Sequence, residues 1–526
     1  MATRSFWGWG VEEQAFSDQQ LKQLGGMISG VFGDLTLEAT PPPRVADLQL
    51  PESRLAPPES LAGLFSSDTR DRAGHTYGKA FRDVVRGLAG DFRCAPDLVA
   101  RPSTEQELVD VMDWAGEAGA AVIPYGGGSS VVGGVEPRLQ YGWRGVVTVD
   151  MERFNRLVEV DATSRAAHLE GGLYGPALED ALKPHGYTLR HFPQSFEFST
   201  LGGWIATRAG GHFATLYTHI DDLVESIRVV TPSGHLETRR LPGSGAGPSP
   251  DRLFLGSEGT LGFITSAWMR LQSRPEYRQT VSVHFDSFLA GAEAVRRLSQ
   301  SGLYPSNCRL IDAREAMMNG VASGGKHLLL VGFESADHPV DPWMARACEI
   351  CRDAGGAVQP SKKEGSGDTQ AGDWRQQFIQ APYMRDGLVR LGMVVETFET
   401  AITWDRFEAF HQGVMERVKK VTREICGQAF VTCRFTHVYP DGPAPYYTVI
   451  APGRKGSQVG QWDDIKAAVM EVISEEGGTV THHHAVGRDH RPGYDRQRPD
   501  LFAASLRATK ATLDPRGMLN PGVLID

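Results

Sequence analysis

The chain has 526 residues, more than one hydrophobic core usually holds, and this length predicts two or three domains. Its composition of 41% hydrophobic and 22% charged residues is that of a globular protein, and the net charge of −10 argues against nonspecific nucleic-acid binding. Six cysteines imply no disulfide framework, and the sequence has no apolar signal segment and no apolar run of about 18 residues. We therefore expect a cytoplasmic protein that does not span a membrane.

The first half of the chain predicts a connector followed by short strands and helices. Residues 1–89 combine an aromatic start, a helical stretch and a proline-rich segment at 40–58, so we expect an N-terminal helical appendage and connector. From residue 90, CAPDLVARPSTEQELVDVMDWAGEAGAAVIPYGGG predicts strand, helix, strand and glycine loop, with Ser103 or Thr104 as the helix N-cap. The segment LVESIRVVTPSGHLET predicts a hairpin around its Pro-Ser-Gly.

The second half is typical of longer helices alternating with strands. This pattern begins after residue 272, and we expect it to form a separate domain over 273–480. The last segment, 481–526, contains one more helical stretch and is predicted to return to the domain formed by 90–272.

Three glycine-rich segments follow one another along the chain. They are PYGGGSSVVGG (124–134), SFEFSTLGGWIATRAGG (195–211) and GSEGTLGFIT (256–265). The first is not a Walker loop, because Gly134 stands where lysine is needed, and it lacks the third glycine of a Rossmann fingerprint. Consecutive backbone N–H groups without side-chain bulk suit a pyrophosphate, and three such loops indicate one extended ligand such as a dinucleotide.

The order of these loops resembles the FAD domain of the vanillyl-alcohol oxidase / p-cresol methylhydroxylase (PCMH) superfamily. Over nearly the whole chain, from GWG (8–10) to DPRGMLNPG, the sequence is similar to the alkylglycerone-phosphate synthase (alkyl-dihydroxyacetonephosphate synthase) family. The most specific segments are ETFETAITWDR (396–406) and THHHAVG (481–487), accompanied by CRLID and TCRFTHVY. The resemblance implies an α+β fold with a PCMH-type two-subdomain FAD-binding domain and an α/β substrate cap of the FAD-linked oxidase C-terminal type.

The resemblance also implies a reaction without net redox change. A fatty alcohol replaces the acyl chain of acyl-dihydroxyacetone phosphate through a covalent adduct at flavin N5, as a step of ether lipid biosynthesis. The alternative is an FAD-dependent oxidase or dehydrogenase of a hydroxy acid or alcohol, which the glycine loops fit equally well. A non-catalytic flavoprotein is the third reading, and the retained family positions argue against it.

Five positions carry the family's catalytic residues: Arg309, Tyr447, His482, His483 and His484. His483 is the expected proton acceptor, since imidazole titrates near neutrality. If the segment is a strand, His482 and His484 share one face and His483 points to the other, which disfavours a shared metal ion. Three solvated or hydrogen-bonded histidines without a catalytic role remain the alternative for this segment.

The assignments of Tyr447 and Arg309 have open alternatives. The resemblance also implies a sixth site residue, Arg385, which would bind the substrate phosphate. The register of the tyrosine could shift by one residue to Tyr446. Arg385 is the implied phosphate ligand, with a surface ion pair to Asp386 as the alternative. For Arg309, a structural salt bridge with Asp312 competes with the catalytic role.

For the cofactor, the resemblance implies FAD and no metal. Ser129 stands where many relatives attach FAD to histidine, so we expect noncovalent FAD. Gln194 replaces a family aspartate, and His191 and Asn520 are expected near the flavin. The implied FAD-binding residues are Pro124, Tyr125, Gly126, Gly127, Gly128, Ser129, Ser130, Gln194, Ser195, Phe196, Glu197, Phe198, Ser199, Thr200, Thr207, Arg208, Ala209, Gly210, Glu258, Gly259, Thr260, Leu261, Gly262, Phe263 and Ile264.

The expected partners are lipid-like substrates, a membrane surface and a second copy of the chain. Family substrates are lipids, which implies peripheral membrane contact, and family members commonly form homodimers. No peroxisomal signal is visible at either end of the sequence, and no nucleic-acid partner is expected.

Overall fold

A computed structural model describes residues 3–33, 35–138, 142–318, 320, 324–359 and 369–526, with only the backbone of 369–379. The helices in these residues are α1 Asp18–Phe32, α2 Thr69–Gly74, α3 Phe81–Leu88, α4 Glu105–Glu117, α5 Gly175–Leu182, α6 Leu201–Thr207, α7 Phe288–Ser299, α8 Ala313–Met318, α9 Asp341–Asp353, α10 Thr369–Arg390, α11 Trp404–Cys426, α12 Gln458–Glu476, α13 Arg491–Gln497 and α14 Asp500–Leu513. None of the helices in the described ranges combines the length and the apolar character needed to cross a bilayer.

The first sheet is mainly parallel and carries the first glycine loop. In the order β1-β2-β4-β3, its strands are β1 Phe65–Ser66, β2 Leu98–Ala100, β4 Gly145–Asp150 and β3 Ala120–Tyr125. Helix α4 crosses from β2 to β3, and Thr104 caps it by accepting the Glu107 N–H at 3.2 Å, one of the two predicted caps. The glycine loop follows β3, at the carboxyl end of the parallel strands, where α/β sheets bind ligands.

The second sheet is antiparallel and packs against α5 and α6. In the order β5-β6-β10-β8-β9, its strands are β5 Leu157–Asp161, β6 Ala166–Glu170, β10 Phe263–Arg270, β8 Val224–Thr231 and β9 Gly234–Glu237. A short ribbon pairs β7 Tyr187–Thr188 with β11 Gln272–Ser273. The β8–β9 pair confirms the predicted hairpin around Pro-Ser-Gly.

The third sheet is antiparallel, and one of its faces is open to a cavity. In the order β15-β12-β14-β13-β17-β18-β16, its strands are β15 Ala357–Val358, β12 Tyr277–Phe285, β14 His327–Ser335, β13 Asn307–Ile311, β17 Phe430–Val438, β18 Pro443–Pro452 and β16 Met393–Glu399. Phe398, Cys433 and Tyr447 point into the core with Phe407 and Phe410 of α11. Since side chains alternate along a strand, the residues between them point to the other face, which lines the cavity.

Both ends of the chain join other parts of the molecule. Phe6, Trp7 and Leu21 are buried in the same core as the third sheet. Near the C-terminus, Leu519 pairs in parallel with Val122 of β3. The C-terminal segment is therefore held by an isolated bridge against the strand that leads into the glycine loop.

Candidate active site

A cavity of about 310 Å³ lies between the glycine-rich segments and the open face of the third sheet. This volume is within the range of ligand pockets. The predicted site residues that line it are Gly126, Gly127, Gly128, Ser129, Ser130, Gln194, Ser195, Ser199, Thr200, Thr207, Ala209, Gly210, Arg309, Arg385, His483 and His484.

The first glycine loop presents a row of unused backbone donors. None of the N–H groups of Gly126–Ser130 donates to an acceptor within the part of the chain that the structure describes. The loop is held from behind by Arg4, whose Nη2 donates to the Gly127 carbonyl at 2.8 Å. A Cβ on Gly127 would lie 1.9 Å from the Phe198 carbonyl oxygen, so only glycine fits there. A concave row of free N–H groups is suited to a phosphate or pyrophosphate.

The second glycine-rich segment borders the cavity from the start of α6. Thr200 is the N-cap of this helix, and its hydroxyl accepts the Gly203 N–H at 3.4 Å. Some of the predicted cofactor residues lie behind the lining: Arg208, for example, pairs with Asp221 at 2.7 Å. Five more predicted FAD-binding residues of the first two glycine-rich segments do not line the cavity. They are Pro124, Tyr125, Phe196, Glu197 and Phe198.

The third glycine-rich segment supports the site without lining the cavity. None of the residues from Glu258 to Ile264 is among the described lining residues. The buried Glu258 carboxylate accepts the N–H groups of Val486 and Gly487 at 2.9 and 2.8 Å, and burial raises its pKa to about 7. This carboxylate therefore joins the segment to the loop that follows the histidines.

Two predicted flavin neighbours also lie outside the lining. The Asn520 amide donates to the Gly134 and Glu258 carbonyls at 3.0 and 2.7 Å, so it ties two glycine-rich segments together. His191 is buried with its ring 5.1 Å from that of Trp204, and burial lowers its pKa to about 3.

The histidine segment is a loop, so the condition under which strand alternation was expected is not met. The backbone wraps around the buried Glu399 carboxylate, which accepts the N–H groups of His482, His483 and His484, the last at 2.7 Å. The same carboxylate accepts the Thr481 hydroxyl at 2.7 Å. Consecutive N–H groups converge on one carboxylate only when the chain curls, which an extended strand cannot do.

The three imidazoles have different surroundings. His483 and His484 line the cavity, whereas His482 lies behind them, with Nδ1 3.0 Å from His483 Nδ1 and Nε2 2.8 Å from the Tyr439 hydroxyl. Desolvation lowers the pKa of His483 and of His484 to about 3, so both rings are neutral at pH 7. This pKa lies below the near-neutral value on which the sequence-based expectation of a base rests. Nitrogens of His437, His482 and His483 lie close enough to share a metal ion, and the absence of a metal stays a prediction.

The structure does not place Tyr447, the predicted catalytic tyrosine, in the lining of the cavity. Tyr447 is buried on the core face of β18, stacks on Phe398 and lies 3.1 Å from His411 Nδ1 through its hydroxyl. Tyr446, the alternative left open by the sequence, lines the cavity with its ring 6.2 Å from that of His483. Adjacent residues of a strand point to opposite faces, so a shift of one residue exchanges core for cavity.

Three arginines among the described residues line the cavity. Arg385 Nη1 donates to the Lys79 carbonyl at 2.5 Å and Nη2 lies 3.2 Å from Asp386, while its buried Nε has no acceptor among the described residues. Burial lowers the pKa of Arg309 to about 10, and the nearby Arg434 adds to this effect. The carboxylate of Asp312, the alternative partner of Arg309, has Arg314 3.7 Å away.

Sequence reasoning assigned no role to several residues that build the site. Glu399 holds the histidine loop, and Arg434 pairs with Glu315 and lies 3.9 Å from the centre of the Tyr446 ring. His437 lines the cavity beside His483. Glu399, Arg434 and His437 fall in the specific segments ETFETAITWDR and TCRFTHVY, which could have identified them.

Comparisons with known proteins match this architecture along most of the chain. The FAD binding domain family matches residues 96–239, and the family "FAD linked oxidases, C-terminal domain" matches residues 274–524. The alkyldihydroxyacetonephosphate synthase of Dictyostelium discoideum is 30% identical over 491 residues, covering 88% of this chain and 79% of that protein.

Solved structures agree with these sequence matches. An alkyldihydroxyacetonephosphate synthase superposes with a TM-score of 0.83 at 26% identity, covering 98% of each chain. p-Cresol methylhydroxylase with substrate bound shares the fold, with a TM-score of 0.68 at 16% identity over 89% of this chain and 95% of that chain. The predicted fold class and the predicted FAD cofactor are thereby confirmed.

Proposed function

Because the chain belongs to the alkyldihydroxyacetonephosphate synthase family, we propose that it is an FAD-dependent transferase that replaces the acyl chain of acyl-dihydroxyacetone phosphate by a fatty alcohol. The observation that carries this proposal is the set of side chains that line one cavity. A neutral imidazole (His483), a phenol (Tyr446) and three guanidinium groups share it with an anion-binding glycine loop. A base, an acid and a phosphate clamp are what this exchange requires.

The residues around the cavity fit FAD. The free N–H groups of Gly126–Ser130 would hold the pyrophosphate, and Thr200, Thr207 and Gly210 border the space for the flavin. When bound, the flavin supplies an electrophilic ring position that can hold the substrate carbon while the chains exchange. Ser129 is not a usual attachment residue for FAD, so noncovalent binding stays our prediction.

His483 is the proposed base. It is neutral because desolvation at the cavity wall lowers its pKa, and general-base catalysis needs the unprotonated ring. Glu399 fixes its backbone through the loop N–H groups, so the ring is positioned before substrate binds. We assign to its Nε2, which makes no hydrogen bond within the described residues, the uptake of a proton from the substrate carbon that carries the acyl oxygen.

Tyr446 and the arginines are proposed to bind the two anionic groups of the reaction, the departing carboxylate and the substrate phosphate. Burial raises the pKa of Tyr446, so its phenol stays protonated and can donate to the departing carboxylate. Arg385 offers its unpaired Nε to the substrate phosphate, and Arg309 adds positive charge to the cavity. The charge of Arg434 is balanced by its ion pair with Glu315, which also lines the cavity. His482 and His484 support His483 in this proposal.

The proposal is tested by isotope exchange under anaerobic conditions. Purified protein with its FAD is incubated with acyl-dihydroxyacetone phosphate and labelled free fatty acid, and we expect label to enter the substrate without lasting bleaching of the flavin. With a fatty alcohol added, the ether-linked product should accumulate. Durable bleaching by a hydroxy acid, with no exchange, would instead favour the oxidase or dehydrogenase.

The assignment of the base is tested by His483→Gln. We expect exchange to fall by roughly 100- to 10,000-fold, because a positioned base contributes this much, while FAD stays bound. His338→Gln is the matched control, since His338 lies exposed on the third-sheet domain. A His483→Gln protein with full exchange activity would overturn the assignment.

The remaining expectations concern partners and location. We propose lipid-like substrates that are collected by peripheral contact with a membrane surface, and a homodimer as the assembly. Vesicle flotation and sedimentation of the full chain test the two separately, and both stay predictions until then.

A further inference from the structure

A closed chain of hydrogen bonds runs behind the proposed base. His483 Nδ1 lies 3.0 Å from His482 Nδ1, and His482 Nε2 lies 2.8 Å from the Tyr439 hydroxyl. The Tyr439 hydroxyl lies 3.1 Å from Thr218 Oγ1, which is 3.2 Å from His219 Nδ1. The chain closes where His219 Nε2 lies 3.1 Å from the His482 carbonyl oxygen.

The carbonyl oxygen at one end of this series of hydrogen bonds determines which group is the donor in each of them. A carbonyl oxygen can only accept, so His219 Nε2 carries a proton, and in a neutral ring Nδ1 must then accept. It accepts from Thr218, whose oxygen accepts from Tyr439, whose oxygen accepts from His482 Nε2. The longer contact of 3.5 Å between Tyr439 and His219 Nδ1 runs in the same direction.

The direction decides the tautomer of the base. His482, protonated on Nε2, has its lone pair on Nδ1 and accepts the proton of His483 Nδ1. His483 then carries its lone pair on Nε2, the nitrogen that makes no hydrogen bond within the described residues. Burial lowers the pKa of both rings, which keeps them in the neutral form that this arrangement requires.

We propose that His482, Tyr439, Thr218 and His219 form a proton wire that fixes the tautomer of His483 and stores the proton that it removes. This inference rests on the proposed role of His483 as base. Tyr439 and Thr218 act through other groups and are therefore positioning residues. His219 ends the wire and is partly exposed, as is Tyr439.

The proton count of the wire is balanced. A substrate C–H bond breaks, its electron pair stays with the substrate, and the proton binds His483 Nε2. Each donor then passes its own proton to the next acceptor, so one positive charge ends on the His219 ring. The bonds between the side chains of the wire reverse, while His219 Nε2 keeps donating to the His482 carbonyl. The reverse series of hops returns the proton to His483 for the later stage of the reaction.

The wire is tested first without substrate. The FAD-loaded protein is labelled with ¹⁵N-histidine, and NMR gives the tautomers of His482 and His483. We expect His483 to carry its proton on Nδ1, and expect Tyr439→Phe and Thr218→Val each to convert most of it to the Nε2–H form. Tyr187→Phe is the matched control, because it removes a surface hydroxyl that donates to the Ala162 carbonyl at 3.2 Å.

Activity provides the second measurement. In Tyr439→Phe we expect kcat of the exchange to fall by roughly 10- to 100-fold with KM unchanged, since a base in the wrong tautomer loses part of its effect. Unchanged tautomers in both variants, or changed tautomers with an unchanged kcat, would overturn the wire. An inactive wild-type protein would refute the proposed function alone, because the NMR result does not depend on substrate.

Discussion

At the scale of single residues, two adjacent tyrosines of β18 point in opposite directions, one to the cavity and one to the core. Tyr446 faces the cavity, while the Tyr447 hydroxyl lies 3.1 Å from His411 Nδ1 inside the core. We expect Tyr446→Phe to lower kcat of the exchange by roughly 100- to 10,000-fold, because a positioned proton donor is lost. Steady-state kinetics of the FAD-loaded protein measures this effect.

Tyr447→Phe is the internal control for that experiment. Loss of its hydroxyl leaves His411 Nδ1 without this partner and should lower the free energy of unfolding by about 1 kcal/mol. Denaturant unfolding of the two variants separates the effects. If Tyr447→Phe were the variant with the lost kcat, the orientation of β18 described above would be wrong.

At the scale of elements, the first glycine loop packs closely against neighbouring backbone because its glycines have no side chains. A Cβ on Gly127 would lie 1.9 Å from the Phe198 carbonyl oxygen, which is backbone and cannot turn away. Overpacking of this kind costs about 1–3 kcal/mol, so Gly127→Ala should bind FAD roughly 10- to 100-fold more weakly. Titration of the apoprotein with FAD, followed by flavin fluorescence, measures this change.

Gly30→Ala is the matched control for Gly127→Ala. Gly30 lies within α1 with nothing within 4 Å of its added Cβ, so alanine should stabilise the helix by about 0.5–1 kcal/mol and leave FAD affinity unchanged. Equal FAD affinities for the wild type and Gly127→Ala would contradict the close approach of Gly127 to the Phe198 carbonyl.

The same scale shows what the sequence could predict. The βαβ pattern, the Thr104 cap and the glycine loops are encoded by local patterns, and all are present in the structure. The curl of the histidine loop is not local, because its acceptor Glu399 lies 83 residues from His482. The wire joins Thr218 to Tyr439, which lie 221 residues apart, and the spacing of apolar residues in the sequence cannot predict a contact between them.

At the scale of the whole molecule, the site depends on segments that lie far apart in the chain. Arg4 at one end holds Gly127, and Asn520 at the other end binds the carbonyls of Gly134 and Glu258. The Glu258 carboxylate continues this connection to the backbone after the histidines. Loosening one of these contacts should therefore affect the stability of the molecule and the position of the histidines together.

Glu258 also predicts a pH dependence of stability. Burial raises its pKa in the folded protein from 4.5 to about 7, so between these values the folded state binds more protons than the unfolded state. Stability contributed at this position is therefore greatest below pH 4.5 and is lost as the pH rises to 7. Glu258→Gln cannot titrate, so the wild type should lose on the order of 2 kcal/mol relative to the variant between pH 5 and pH 8.

Calorimetry of the FAD-loaded wild type and Glu258→Gln at the two pH values measures this difference. Glu416→Gln, on the exposed side of α11, is the matched control and should show the same pH dependence as the wild type. The sign is the decisive feature: a wild type that gains stability over Glu258→Gln as the pH rises would mean that the two N–H donors of Val486 and Gly487 outweigh burial. In that case, Glu258 would join the two segments as a stable anion rather than as a carboxyl group that titrates near neutrality.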